Sequence, residues 1–197
     1  VYSKVMCWAA YESAISMARN LGFSAPIKKW KKIQDDIRRD ILEKGYDNEK
    51  KSFTQYYGSE NIDASLLRLP ILGFIPATDE RFQGTMKRIE DELMVDGYLF
   101  RRYNEDDGLK GKEGSFLMLS FWYVEDLILA RKLNKAREVF ESLVEKANHL
   151  GLYSEEIDEN TGDFLGNFPQ ALSHLGVLRV APKLDEAMLR RINRIQD

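Results

Sequence analysis

The chain has 197 residues, 44% of them hydrophobic, enough for one compact domain with its own core. A net charge of −3 with no basic run argues against a nucleic-acid partner, and a single cysteine excludes an internal disulfide and points to a reducing, cytoplasmic setting. No apolar run reaches the roughly 18–20 residues of a membrane span, and Val1 to Leu21 has neither the basic start nor the cleavage site of a signal peptide.

The first stretch, VYSKVMCWAAYESAISMA, starts without Met and already inside an apolar pattern, as expected of a truncated, processed or partial chain. It is apolar nearly all round, which predicts a helix buried on most faces with Cys7 as an inert buried thiol. Pro26 then opens an amphipathic helix whose stripe is Ile27, Trp30, Ile33, Ile37 and Ile41. A polar loop leads to a second apolar helix, IDASLLRLPIL, which Pro70 ends or kinks. Thr78–Asp79 starts another amphipathic helix, with Phe82, Met86, Ile89 and Leu93 on one face. Its loop leads to the apolar GSFLMLSFWYVEDLILA. Asn134 is the expected N-cap of a third amphipathic helix carrying Ala136, Val139, Phe140, Leu143, Val144 and Ala147. The apolar PQALSHLGVLRV follows, and past Pro182 a short polar helix, LDEAMLRRINRIQD. Strand patterns are confined to short pieces such as YLFRRY.

Three segments share one plan of helix, Gly, polar loop and apolar helix. Their glycines, Gly45, Gly97 and Gly151, lie 52 and 54 residues apart. A period near 50 residues means a repeat architecture, and each Gly suits the left-handed position that ends a helix. Alternating buried and half-buried helices predict an all-α fold of helical hairpins. That is an α/α toroid, an incomplete arc of about seven to eight helices, or a right-handed solenoid of helix pairs.

In this plan the long loops share one end and carry Tyr56, Tyr57, Asp63, Arg101, Arg102, Tyr103, Glu105, Asp106, Asp107, Glu113, Glu155 and Glu156. Function concentrates on loops set on a rigid scaffold, and aromatic faces with carboxylates and Arg suit a sugar. Two adjacent glutamates are ordinarily solvated charge, whereas a general base needs a carboxylate aimed into a cleft. His149 and His174 lack zinc-ligand spacing, and His174 reads as a satisfied core histidine. Glu105, Asp106, Asp107 and Gly108 lack the spacing of a calcium loop. No metal or cofactor is expected.

Four pieces resemble the bacterial and archaeal branch of glycoside hydrolase family 15, the glucoamylase-like enzymes, some of which are trehalases. They are YSKVMCWAAYESAI, FTQYYGSENIDASLLRLPILGF, GYLFRRYNEDDGLKGKEGSFLMLSFWYVEDL and LGLYSEEIDENTGDFLGNFPQALSHLGV, in matching order. The resemblance implies an (α/α)6 toroid and hydrolysis of α-glucosides with inversion, which uses two carboxyl groups roughly 6.5–9.5 Å apart. It implies that Glu155 is the general base. Arg102, Tyr103, Asp63, Glu113 and Glu156 are then the expected substrate-binding set, with loop support the alternative for Asp63 and Glu113. The family's general acid sits in a Trp-Glu motif before the YSKVMCW helix. Residues 1–197 are therefore expected to be the C-terminal part of a catalytic domain, without its N-terminal hairpins and inactive alone.

The main expectation is an exo-acting enzyme on α-glucan or maltooligosaccharide ends, with trehalase as the alternative. A non-catalytic helical-repeat interaction module is the alternative from another class. Exposed inner helices would give self-association.

Overall fold

The computed structural model describes residues 1–104 and 113–196, the side chains of 194–196 excepted. The chain forms two compact units, Val1–Met86 and the part from Lys87 onward. The stretch with Glu105, Asp106, Asp107 and Gly108 lies outside the described residues.

The first unit opens with α1 (Tyr2–Leu21), which ends at Gly22 in the left-handed conformation, φ 68°. Helix α2 (Ile27–Lys44) packs beside it. The pair β1 (Tyr46–Asp47) and β2 (Ser52–Phe53) follows. The expected second apolar helix is broken. A 3₁₀ turn over Ala64–Leu67 runs into a single α turn, α3 (Arg68–Ile71), that contains Pro70. The core gathers Val5, Trp8, Phe53, Leu66, Leu67 and Phe74, with Trp8 set edge-on to Phe74 at 5.4 Å. Helix α4 (Glu80–Leu93) carries the boundary between the units. Its start is as expected, with Asp79 Oδ1 accepting from the Arg81 amide at 3.0 Å. Its stripe of Phe82, Met86, Ile89 and Leu93 is fully buried.

In the second unit β3 (Met94–Val95) pairs with β4 (Leu99–Phe100). Strand β5 (Ser115–Phe116) leads directly into α5 (Leu117–Leu129), buried on nearly every face as its composition predicts. Then come α6 (Leu133–Val144), β6 (Glu156–Ile157), β7 (Phe164–Leu165) and α7 (Ala171–Gln196). The strands β5, β6 and β7 form one antiparallel sheet. Helix α5 packs against α6 and α7. Gly176 permits the close approach to α7, since a Cβ there would stand 2.6 Å from the Phe121 ring.

Several expectations are corrected. Cys7 is exposed, as are Met6 and Met17. Helix α1 packs on α2 and α3, and its buried residues are Val5, Trp8, Ile15 and Ala18. On α7, Leu172, Leu175 and Leu178 are likewise exposed. Pro182 does not end that helix. It lies on the exposed side, where water can satisfy the carbonyl it leaves unpaired, while buried Val180 and Leu184 hold the turns around it. Asn134 is inside α6, after the N-cap Lys132, and accepts from Arg191 at 2.7 Å. Gly97 and Gly151 do have positive φ, but both sit in turns beyond the helix, and Gly45 ends α2 at φ −95°. Gly45 is needed for space instead, because a Cβ would meet the Ile41 carbonyl at 2.7 Å.

The sequence has no basic run, yet folding gathers Arg131, Lys132, Lys135, Lys183, Arg190 and Arg191 around a groove of about 990 Å³ between the α5–α6 turn and α7. Lys135, Lys183 and Arg190 pair with Glu138, Glu125 and Glu186. None of the expected site residues lines it.

Candidate active site

The sheet β5–β6–β7 brings most of the candidate residues to one place. Glu155 and Glu156 stand at the start of β6, whose Glu156 lies opposite Phe116 on one side and Leu165 on the other. Glu156 Oε2 accepts the Gly114 amide at 2.8 Å. Gly114 must be glycine here, because a Cβ would meet the Ile157 carbonyl at 2.6 Å. Burial pushes the Glu156 pKa up. The Gly114 amide opposes this, the charges of Glu113 and Glu155 add to it, and Arg102 opposes it. Glu155, Glu113 and Arg102 are thus all close enough for their charges to act on Glu156.

Arg102 follows β4. Its Nη2 donates to Glu113 Oε1 at 2.6 Å, and its guanidinium lies over the rings of Tyr103 at 4.6 Å and Phe116 at 5.3 Å. The planar cation is therefore held by stacking as well as charge. Both members of the Arg102–Glu113 pair are more than a third exposed, so the pair itself contributes at most about 1 kcal/mol. Its value is in presentation: a fork of donors and a carboxylate side by side suit vicinal hydroxyls.

Glu155 is held from behind. Its Oε2 accepts from both the backbone amide of Asn167, at 3.1 Å, and the Asn167 Nδ2, at 2.8 Å. Its Oε1 takes no hydrogen bond from the described residues. Gly166, at φ +69°, lies flush against it; a Cβ there would stand 2.9 Å from Glu155 Cβ and Oε2.

Next door, Arg101 grips Glu159 with two nitrogens, Nε at 2.8 Å and Nη2, and Ser115 Oγ donates to the same carboxylate at 2.9 Å. The Glu159 side chain is only 10% exposed. This ties the strand exit that bears Arg102 to the turn after β6. Sequence reading placed Arg101 among the site loops; the structure gives it this bracing contact.

Asp63 belongs to the first unit and caps the 3₁₀ turn there, accepting from the Ser65 amide at 2.7 Å, which is the loop-support alternative. Tyr57 donates to Asp40 at 3.0 Å. His174 is satisfied as expected: Nδ1 meets the Gln170 carbonyl at 2.7 Å and Nε2 accepts the Tyr153 amide at 3.4 Å. Sequence reasoning missed Gly114, Glu159, Gly166 and Asn167. Only the isolated glycines beside polar residues signalled them.

The family model of Glycosyl hydrolases family 15 matches residues 1–182. The chain belongs to that family. The trehalase of Thermoplasma acidophilum is 75% identical over 197 residues, covering 100% of this chain and 34% of that protein. The trehalase of Thermoplasma volcanium is 75% identical over 195 residues, covering 99% and 31%. The trehalase of Mycobacterium tuberculosis is 42% identical over 178 residues, covering 89% and 26%. The chain thus spans about a third or less of these relatives' length. Among solved structures, the wild-type form of a glycosidase matches with a TM-score of 0.72 at 22% identity, covering 82% of this chain and 46% of that one. The fold class is the expected one, all-α helical hairpins of the α/α-toroid type. No helix among the described residues is long and apolar enough to cross a membrane.

Proposed function

We propose that the polypeptide carrying this chain hydrolyses trehalose, and that this chain supplies the water-activating half of its site. The observation that carries the reading is the 75% identity to two trehalases along essentially the whole chain. It favours the trehalase alternative over the starch-type main expectation. We read residues 1–197 as the C-terminal part of the catalytic domain.

In this reading Glu155 is the general base. With Oε2 occupied by Asn167, Oε1 accepts a proton from the attacking water as oxygen bonds to the anomeric carbon. Arg102 and Glu113 bind hydroxyls of the glucose that is attacked, with Tyr103 as the platform beneath Arg102. Glu156, fixed by Gly114, supplies a second acceptor. Asp63 shapes its loop. Protonation of the leaving oxygen falls to a carboxylic acid elsewhere in the polypeptide. Such an acid contributes about 10²–10⁴-fold, so residues 1–197 alone should be inactive.

The test is a substrate panel. The whole polypeptide is assayed for glucose release from trehalose, maltose and soluble starch. A kcat/KM highest on trehalose supports the reading, and one highest on maltose or starch returns the starch-type main expectation. No release from any of them would favour the interaction module.

A further inference from the structure

We propose that Asn167 is the positioning residue of Glu155. This rests on the reading of Glu155 as the base. The local backbone supports it independently of that reading. Strands β6 and β7 pair Ile157 with Phe164 and Glu156 with Leu165. The next step would set Glu155 opposite Gly166, but the Glu155 amide donates to the Asn167 carbonyl at 2.9 Å instead. One extra residue, Gly166 at φ +69°, is accommodated there. That is a β-bulge with glycine in its left-handed position, a device that bends a strand and re-aims a side chain.

The bulge releases a donor. In an unbroken ladder Asn167 would lie opposite Ser154, whose carbonyl instead accepts from the Ser173 hydroxyl at 2.7 Å. The Glu155 carbonyl is taken too, by the Leu117 amide at 3.2 Å, at the start of α5. The Asn167 amide turns to Glu155 Oε2, and the side-chain Nδ2 joins it on the same oxygen. Three contacts from one residue therefore fix both the backbone and the carboxylate of Glu155. The bare face of Gly166 closes the remaining space. Two donors on one oxygen leave the other, Oε1, as the basic edge. Misplacing a reacting group by about 1 Å can cost about 10²-fold.

The test uses the whole polypeptide and its best substrate from the panel above. Asn167→Ala should lower kcat by about 10–100-fold and leave KM within about twofold, since its backbone amide and Nδ2 serve Glu155. Asn167→Asp, nearly isosteric and without the Nδ2 donor, should lower kcat likewise and guards against a folding failure in the alanine variant. The decisive arm is the double variant. On a Glu155→Gln background, Asn167→Asp should cost no further activity, because residues that act as a unit are non-additive. Equal losses on both backgrounds would overturn the proposal, as would unchanged kcat in both Asn167 variants. If Glu155→Gln alone keeps its turnover, the base assignment fails, which is a separate result.

Discussion

Asp126 offers a direct test of the second unit's electrostatics. It is 0% exposed on α5, and both its carboxylate oxygens are buried without a hydrogen-bond partner among the described residues. Its neighbour Glu125 is also buried, but Arg179 donates to it at 2.7 Å and Lys183 pairs with it too. Burial first, and the Glu125 charge second, push the Asp126 pKa well above its ordinary value of 3.8. The folded protein therefore keeps this proton while the unfolded chain loses it near the ordinary value. An acid with a raised folded pKa gives its full contribution below the unfolded pKa and loses it as pH rises toward the folded one. The slope is one proton, or about 1.4 kcal/mol of stability lost per pH unit. Asp126→Asn removes the titration, at a constant cost of about 1–3 kcal/mol for an amide left equally unpaired. Urea unfolding at pH 4.5 and 5.5, followed by circular dichroism, reads both. The variant should gain on the parent between those pH values, by at most about 1.4 kcal/mol. A difference that stays constant with pH, or moves the other way, would refute a buried protonated Asp126.

Two other outcomes follow from packing and chemistry. Gly176→Ala places a Cβ 2.6 Å from the ring of fully buried Phe121. Overpacking costs about 1–3 kcal/mol, against about 1 kcal/mol gained in helix propensity, so the urea midpoint should fall; an unchanged or higher midpoint would contradict the close contact of α5 and α7. Inversion on trehalose attacks one α-linked glucose and leaves the other untouched. Proton NMR of the first turnovers should show equal amounts of β- and α-glucose, whereas α-glucose alone would mean retention.

The sequence made helices legible where periodicity is long. The Phe82, Met86, Ile89 and Leu93 stripe is buried as expected, and α5 is buried nearly all round. The spacing of Gly45, Gly97 and Gly151 also marked a recurring order of helix, loop and helix. What it hid is local and non-local at once. Each strand has two residues, too few for alternation to register. Burial of α1 and α7 depends on which helices lie beside them, which composition does not specify. The continuity of α7 through Pro182 likewise depends on packing around the proline rather than on its own propensity. At the site, Arg102, Glu113, Glu155 and Glu156 were named and are brought together. The support beneath them was invisible: the Gly166 bulge and the Asn167 contacts depend on register at single-residue resolution, and Glu159 meets Arg101 across 58 residues of chain.

In the proposed reading Glu155 activates the attacking water. Glu155→Gln in the whole polypeptide keeps size and hydrogen-bonding shape while removing the base. Steady-state turnover on trehalose should fall by about 10²–10⁴-fold, with KM little changed and the thermal unfolding curve superimposable on the parent's. Turnover near the parent's, in a variant that is folded, would contradict the account.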